Sequence, residues 1–272
     1  MSEATVLVLG ATGTTGRRVT DWLRRAGHPV RPASRTSEVG FDWGVPGTWE
    51  PAVSGVRGLY LMAPDGVAVD PAFVTLAVEC GVRRIVLLSN GGAEDMSDHR
   101  LLAAERTVRN CGADWTILRP SWFDQNFDEG FFCPSVMAGE VVMPVGDLRQ
   151  AFTDAGDIAA VAGTALTRTG HSGRTYELRG PRALTFTEAV VIISRVSGRE
   201  VRFCGTPEVY LAAQVANGST REAALGEVEA FTALCRRGDD EPNDLIRQVT
   251  GHEPTTFEAY AIDAAGRGAW RR

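Results

Sequence analysis

A glycine-rich segment at positions 10–16, GATGTTG, is the part of the sequence best suited to holding a ligand. It follows the short apolar run Val6–Leu9 and opens an amphipathic helix pattern that ends at Gly27. In this arrangement the first glycine permits a tight turn, the second lets the backbone approach a pyrophosphate, and the third allows the helix to pack closely on the strand. The free amides of the helix N-terminus face the anion. The segment predicts a dinucleotide site, with a purely structural glycine turn as the alternative.

The end of the second apolar run, Val30–Ala33, discriminates between dinucleotides because it is followed by Ser34 and Arg35. Enzymes that use NAD tend to place an acidic residue about 20 positions beyond the glycines, where it accepts a hydrogen bond from the ribose 2′-hydroxyl. A guanidinium suits a 2′-phosphate instead, through bidentate charge-assisted hydrogen bonds. We therefore expect NADP(H) as the cofactor. The alternative is that Arg35 is a solvated loop arginine.

Missing residue types exclude several kinds of chemistry. The chain has no lysine, and all 28 of its basic residues are arginine. A P-loop lysine, a Schiff-base lysine and the lysine of a Tyr-x-x-x-Lys pair are therefore impossible. The five cysteines are far apart and form no C-x-x-C pair, which favours neither a zinc site nor a disulfide framework. We expect no bound metal.

The bulk composition is that of an ordinary globular enzyme. At 272 residues and 44% hydrophobic, the chain can form one large domain, or a main domain with a smaller appendage. No apolar run reaches the roughly 18 residues needed to span a bilayer, and no signal-peptide pattern begins the sequence. The net charge of −6 argues against nucleic acid as a partner. We expect a cytoplasmic protein that binds neither nucleic acid nor membrane.

Short apolar runs alternate with helical patterns over the first two-thirds of the chain, which is typical of βαβ units and a parallel sheet. Six such runs with five helical segments between them predict a doubly wound sheet. A further helix is expected from Asp157, and a further strand near Tyr176–Leu178. The six predicted strands are Val6–Leu9, Val30–Ala33, Val39–Asp42, Gly58–Met62, Ile85–Leu88 and Trp115–Leu118.

The remainder of the chain is mainly helical in pattern. Thr185 and Glu188 form a capping box before one helix, and helices are expected around 209–216, 223–235 and 245–249. The predicted fold class is α/β: a Rossmann-like, doubly wound parallel sheet with a small, mainly helical C-terminal subdomain. We assign residues 1–180 to the NADP(H)-binding domain, with 127–150 contributing to the substrate pocket. Residues 181–272 are assigned to a substrate or lid subdomain.

Several motifs together resemble one family. The sequence is similar to the NmrA-like branch of atypical short-chain dehydrogenases/reductases, in particular the group with festuclavine and agroclavine dehydrogenases, NADPH:quinone oxidoreductases and polyketide-tailoring ketoreductases. The similarity covers nearly the whole chain and is specific for the family but not for a substrate. The motifs that carry it are GATGTTG, ASRTS, FDW, LMAP, DWTILRPSWF at 114–123 with Asn126 after it, YEL at 176–178 and GHEP at 251–254.

The resemblance implies roles for individual residues. The pyrophosphate would be held by Gly10, Thr12, Gly13, Thr14, Thr15 and Gly16. Ser34 and Arg35 would hold the 2′-phosphate, and Asp42 and Trp43 would flank the adenine. The nicotinamide side would be lined by Ala63, Pro64, Ser89 and Asn90. The substrate would face Trp122, Phe123 and Asn126.

The sequence departs from the Ser–Tyr–Lys arrangement of ordinary short-chain dehydrogenases. Ser89 matches the serine by position, whereas His99 and Ala103 occupy the region of the tyrosine and lysine. A positioned general acid contributes roughly 10²–10⁴-fold to a rate, so an unactivated ketone would react slowly without one. The candidate catalytic residues are Ser89, as a hydrogen-bond donor to a developing oxygen, and His99, as an auxiliary. For each, a purely structural role is the alternative.

We therefore expect an NADPH-dependent reductase of an activated acceptor: a quinone, an iminium, or an aromatic or polyketide ketone, plausibly in secondary-metabolite biosynthesis. The aromatic-rich stretch between Trp122 and Phe132 is either core packing or a platform for a flat substrate. The alternative function is a catalytically silent NADP(H)-sensing regulator of the NmrA type. The partner is expected to be a small aromatic or heterocyclic molecule, and the protein a monomer or a homodimer.

Overall fold

The computed structural model describes residues 4–271. Within this range the strands are β1 (Val6–Leu9), β2 (Val30–Ser34), β3 (Val39–Gly40), β4 (Gly58–Leu61), β5 (Arg84–Leu88), β6 (Asp114–Pro120), β7 (Glu140–Val142), β8 (Arg149–Gln150), β9 (Arg174–Leu178), β10 (Leu184–Thr185) and β11 (Arg202–Cys204). The α-helices are α1 (Thr14–Arg25), α2 (Trp49–Val53), α3 (Pro71–Glu79), α4 (His99–Arg109), α5 (Cys133–Ala138), α6 (Ala155–Thr167), α7 (Phe186–Ser197), α8 (Pro207–Ala216), α9 (Arg221–Arg237), α10 (Leu245–Thr250) and α11 (Phe257–Gly266). Short 3₁₀ helices cover Pro46–Thr48 and Asp124–Phe127.

The central sheet has seven strands in the order β3-β2-β1-β4-β5-β6-β9, and every neighbouring pair is parallel. The chain moves outward in one direction from β1 to β3 and in the other from β4 to β9. The strand order therefore reverses between β1 and β4, which is the place where open α/β sheets bind their ligands. The predicted Rossmann-like, doubly wound fold is confirmed.

The connection between β2 and β3 differs from the prediction. Residues 35–38 form a turn, in which the Ser34 hydroxyl accepts hydrogen bonds from the amides of Thr36 and Ser37 at 3.2 and 3.0 Å. The prediction of five helical segments between the first six strands is therefore wrong, because this link contains no helix. The third strand also ends at Gly40 instead of Asp42. Pro32 is tolerated within β2 because the short β3 pairs only beyond it.

Side-chain caps define several helix starts, including the capping box that the sequence predicted at Thr185. Asp70 and Asp98 each accept a hydrogen bond from a backbone amide of the first turn, and Thr185 forms a complete capping box. One start was misplaced. Asp154, not Asp157, caps α6, because its Oδ1 accepts from the Gly156 amide at 2.7 Å. Helix α11, capped by Thr256, was not predicted.

Helices cover both faces of the central sheet. On one face α2, α3 and α4 bury an apolar cluster around Leu59 and Ile85. On the other face α1 and α6 bury a second cluster around Val8 and Val86. Ile246 of α10 is fully buried in this second cluster, so the segment 245–250 packs on the nucleotide-binding domain although it lies within the range 181–272.

A third core lies beyond the sheet and joins two separate parts of the chain. It packs residues from the range 127–152 against residues from 184–270. Two small ladders reinforce this union, because β10 pairs with β8 and β11 pairs with β7. The C-terminal region is therefore mainly helical but shares its strands with the preceding segment. Among residues 4–271, no helix is both long enough and apolar enough to cross a membrane.

The contact between α1 and α6 predicts a sharp response to one added methyl group. A Cβ on Gly163 would fall inside the Trp22 ring, 2.6 Å from Cδ2. We expect Gly163→Ala to lower the free energy of unfolding by about 1–3 kcal/mol through overpacking. Gly226→Ala, a matched change in α9 where nothing lies within 4 Å, should raise it by about 0.5–1 kcal/mol. Urea unfolding measures both, and equal gains in the two variants would contradict close packing at Trp22.

Candidate active site

A cleft of about 740 Å³ opens at the carboxyl ends of the central strands. The loops that follow β1, β4, β5 and β6 all contribute to it, and helices α8 and α9 supply residues from the C-terminal region. Its volume is within the range of ligand-binding pockets. One cleft therefore extends from the sheet edge at β1 and β4, where the strand order reverses, to the third core.

The glycine-rich loop has the tight geometry that its sequence predicts. Gly10 has a φ of +63°, and a Cβ there would collide with the Met62 sulfur. A Cβ on Gly16 would collide with the carbonyl oxygen of Gly10, so α1 starts as close to β1 as a glycine allows. Gly13 is the N-cap of α1 and provides no side-chain acceptor for the first-turn amides. This cradle fits a pyrophosphate.

Two of the loop threonines, Thr14 and Thr15, line the cleft directly. Thr12 and Gly13 are exposed beside it, whereas Gly10 and Gly16 shape the turn from below. No acidic residue occupies the first turn of α1. The N-terminal end of the helix dipole is therefore not neutralised by a carboxylate of its own first turn.

Ser34 and Arg35 lie at the end of β2 with different surroundings. The buried Ser34 hydroxyl hydrogen-bonds within the β2–β3 turn, with Ser37 Oγ at 2.7 Å. Arg35 is exposed, and within residues 4–271 its guanidinium has no hydrogen-bond or ion-pair partner. The structure therefore gives Ser34 a role in forming the turn and leaves the Arg35 guanidinium available to an anion.

Asp42 and Trp43 follow β3 and do not line the cleft. Asp42 organises its own loop: its carboxylate accepts from the Gly44 amide at 2.8 Å, and its carbonyl accepts from the Trp49 indole at 3.1 Å. Trp43 is half-buried and packs edge-on against Phe41 and Phe73. The predicted adenine contact of this pair stays a prediction.

The strand ends beyond β4 and β5 are brought together as predicted. Ala63, Pro64, Ser89 and Asn90 all line the cleft. The Asn90 Oδ1 accepts a hydrogen bond from the Gly92 amide at 2.6 Å, which fixes the orientation of its side-chain amide.

The structure corrects the role predicted for Ser89. Its hydroxyl donates to Glu105 Oε1 at 2.6 Å, so the only hydrogen that it could donate to a ligand is already in a hydrogen bond. Glu105 is fully buried and also accepts from Arg119 Nε and Nη2, at 2.8 and 2.7 Å, and from Arg109 at 2.8 Å. Burial would raise the pKa of Glu105, but the hydrogen bonds from Arg119 and Ser89 outweigh it and hold the pKa below 4.5. Because it donates to this anion, the Ser89 hydroxyl can act toward a ligand only as a hydrogen-bond acceptor.

The structure does not bring His99, the predicted auxiliary, into the cleft lining. His99 is the first residue of α4, and its side chain is exposed outside the set that lines the cleft. Its neighbours Asp98 and Arg100 do line the cleft. Successive helical side chains point about 100° apart, so a neighbour of a cleft residue can face solvent.

The aromatic stretch after β6 divides into core and cleft residues. Phe127 and Phe132 are fully buried in the third core, whereas Trp122 and Phe123 line the cleft, as does Asn126. The Trp122 ring stacks on Phe132, with centroids 5.6 Å apart. The interpretation as core therefore applies to Phe127 and Phe132, and the interpretation as a substrate platform stays a prediction for the residues that line the cleft.

Most of the remaining lining comes from segments that sequence reasoning did not connect to the site. From helices α8 and α9, Phe231 stacks on Trp122 with centroids 6.2 Å apart, and Tyr210 packs edge-on against Phe231 at 5.9 Å. Spacing gave no signal for the stacking on Trp122, because Phe231 and Trp122 lie more than 100 residues apart in the chain. The other polar and charged lining residues that were missed are Asp65, Asp98, Arg100, Ser121, Gln150, Arg179, Glu227, Arg237 and Asp240.

Ser121 and Asn126 are two cleft residues whose side chains make no hydrogen bond within the described chain. The Ser121 hydroxyl is buried without a partner among residues 4–271. The Asn126 amide is half-buried and also makes no hydrogen bond there. Buried polar groups are normally paired, so unused donors at a cleft indicate where a ligand can bind. In this part of the chain, no group of three His, Cys, Asp or Glu residues is arranged to hold a metal ion.

Comparisons with known proteins place this architecture in a family. No family model matches the sequence. The uncharacterized oxidoreductase YesF of Bacillus subtilis is 32% identical over 286 residues, covering 99% of this chain and 98% of that protein. The chain belongs to the NmrA-like branch of the atypical short-chain dehydrogenases/reductases. The prediction of an oxidoreductase of this class is thereby confirmed.

Two other similar proteins carry more descriptive names. The NAD(P)H azoreductase of Xenophilus azovorans is 31% identical over 286 residues. The match covers 97% of this chain and 99% of the azoreductase. Among solved structures, the NADPH-dependent quinone oxidoreductase QOR2 of Escherichia coli, complexed with NADPH, superposes with a TM-score of 0.77. It is 21% identical, and the match covers 94% of this chain and 98% of that one, which supports the fold.

The buried Glu105 cluster predicts a pH-dependent contribution to stability. A carboxylate with a depressed pKa stabilises the fold above its unfolded pKa, near 4.5, and this contribution is lost as the pH falls through its folded pKa. We expect Glu105→Gln to lower the free energy of unfolding by about 3 kcal/mol at pH 7, with a smaller difference from wild type below pH 4.5. Urea unfolding at both pH values tests this.

A matched control is the exposed pair of Asp244 and Arg247, whose side chains are 65% and 50% exposed. Asp244→Asn should change stability by no more than about 0.5 kcal/mol. A Glu105→Gln variant as stable as this control would show that the buried cluster contributes little.

Proposed function

We propose that the chain is an NADPH-dependent reductase that transfers hydride to an activated acceptor without a tyrosine–lysine pair. The observation that carries the proposal is the single cleft, which joins an open helix N-terminus at one end to stacked aromatic side chains at the other. We assign residues 1–180 to cofactor binding, and 181–272 together with 127–150 to the substrate side. The acceptor would be a small aromatic or heterocyclic molecule.

NADP(H) fits the described residues better than NAD(H). The glycine cradle and the first turn of α1 would hold the pyrophosphate, and the unpaired guanidinium of Arg35 would hold the 2′-phosphate. Ser89 would accept a hydrogen bond from a ligand group, since its own hydroxyl donates to Glu105. When bound, NADPH supplies the hydride, and the protein supplies binding and orientation.

Tyr210 does not replace the missing general acid. Among residues 4–271 it is the tyrosine that lines the cleft, but its hydroxyl donates to Glu227 Oε2 at 2.7 Å. Burial, the hydrogen bond to Glu227 and the charge of that carboxylate all raise the pKa of Tyr210. A tyrosine in this setting keeps its proton and is a poor acid, so the site favours acceptors that need little proton transfer.

The acceptor must therefore supply its own activation. A quinone yields a delocalised phenolate, an iminium needs no proton, and a ketone with an internal donor stabilises its own oxyanion. Ser121 and Asn126 have unused donors at the cleft and would hydrogen-bond to a developing oxygen. Orientation of the acceptor against the cofactor would provide the remaining rate enhancement. A role in secondary-metabolite biosynthesis is part of the proposal.

A catalytically silent NADP(H) sensor is the other candidate. A sensor needs the nucleotide cradle but not an aromatic-walled extension of the same cleft. The substrate end, with Trp122 stacked on Phe231, therefore favours the enzyme. We further propose a cytoplasmic location and a monomeric or homodimeric state.

The decisive experiment follows NADPH oxidation by the purified protein against a panel of quinones, a preformed cyclic iminium and polycyclic ketones. Turnover with at least one of these classes supports the reductase. Tight NADPH binding without oxidation across the whole panel would favour the sensor. Absence of NADPH binding by thermal shift would overturn both functions.

Arg35 provides a test of cofactor choice. Arg35→Ala should raise the Kd for NADPH by about 10- to 100-fold, because charge-assisted hydrogen bonds worth about 1.5–3 kcal/mol are lost. The Kd for NADH should change by less than about twofold. Arg24→Ala removes the same charge from an exposed position in the last turn of α1 and should leave both values unchanged. Fluorescence titration measures the four constants, and an equal loss for both nucleotides would contradict a role at the 2′-phosphate.

A further inference from the structure

Phe131 is held in an unusual position for a large apolar side chain. It is 63% exposed and yet lines the cleft. The next residue, Phe132, is 1% exposed and anchors the segment in the third core, with the two ring centroids 5.1 Å apart. One ring of the pair is therefore fixed in the protein, and the other is presented at the mouth of the cleft.

The backbone around Phe131 is tied down on both sides. The Phe132 amide donates to the Asn126 carbonyl at 2.7 Å, and the Gly130 amide donates to the Gln125 carbonyl at 3.0 Å. Glu129 accepts from Arg18 at 2.7 Å and also pairs with Arg17, both on α1. These contacts fix the segment against the nucleotide-binding domain. The exposure of the ring is therefore a property of an ordered segment.

The same cleft already contains an aromatic wall, formed by Trp122, Phe231 and Tyr210. Trp122 and Phe231 are stacked with an angle of 24° between their planes. Tyr210 meets Phe231 edge-on at 77°. A flat ring system that enters this cleft would meet aromatic side chains inside it and the Phe131 ring at its mouth.

We propose that Phe131 determines specificity by covering the outer rings of a planar, fused aromatic acceptor. The inference rests on the proposed reductase function and names the substrate class of that site. Under this proposal a single-ring acceptor bound beside Ser89 and Asn90 would leave Phe131 uncovered. A fused system of three rings would reach Phe131, and both apolar surfaces would then be removed from water.

The test compares 1,4-benzoquinone with 9,10-phenanthrenequinone in steady-state NADPH oxidation by wild type, Phe131→Ala and Phe131→Trp. Phe131→Ala should raise the KM for phenanthrenequinone about tenfold, because one aromatic contact with the substrate is lost. The kcat should stay within about twofold of wild type. The KM for benzoquinone and the Kd for NADPH should not change. Phe131→Trp should keep the wild-type KM for phenanthrenequinone, because the larger ring restores the contact.

Ile262 on α11 offers a matched control, because it is 62% exposed and lies outside the cleft lining. Ile262→Ala should leave every constant unchanged. Equal changes in KM for the two quinones in Phe131→Ala, or no change for phenanthrenequinone, would overturn the proposal.

Equilibrium dialysis of phenanthrenequinone in the presence of NADP⁺ provides a readout that needs no turnover. Binding about tenfold weaker in Phe131→Ala than in wild type supports the contact even if neither quinone is reduced, in which case only the reductase proposal fails. Equal binding by the two proteins overturns the role of Phe131, whether or not the wild type is active.

Discussion

The close approach of α1 to the end of β1 is the constraint on which the rest of the site depends. Glycine at position 16 lets the helix start against the carbonyl of Gly10, and the positive φ of Gly10 turns the chain into that helix. The helix N-terminus thereby opens at the strand-order reversal between β1 and β4. A side chain at position 16 would collide with the Gly10 carbonyl and push the helix away from the strand, so this glycine sets where the helix N-terminus lies.

The buried charge cluster centred on Glu105 of α4 decides what the Ser89 hydroxyl can offer to the cleft. Glu105 is satisfied by two arginines and by Ser89, so a carboxylate can remain ionised without solvent. The hydroxyl that ordinary short-chain dehydrogenases would use as a donor is thereby committed. Tyr210 is committed in the same way to Glu227. Because the hydroxyls of Ser89 and Tyr210 already donate to carboxylates, the site suits acceptors whose own electronic structure stabilises the product.

The substrate side depends on a core that no single stretch of the chain could form. Residues from 127–152 and from 184–270 share it, and two short ladders hold the segments in register. Phe127 and Phe132 fill this core, which leaves Trp122 to stack on Phe231 at the cleft. The subdomain therefore positions the aromatic wall through its own packing, and the intervening helix α10 packs on α6 and β9.

The sequence by itself determined the local features: the glycine loop, the parallel strands, most helix caps and the absence of any lysine chemistry. Those follow from spacing and side-chain type over fewer than about ten residues. It misplaced the start of α6 because Asp154 and Asp157 are equally good caps by type, and it placed His99 in the site because a helix pattern does not fix which face meets a cleft. Only the tertiary structure decided that Ser89 donates to Glu105, that Phe231 stacks on Trp122 and that Phe131 stays exposed. Each of these depends on how the helices and strands pack together, which local sequence patterns do not specify.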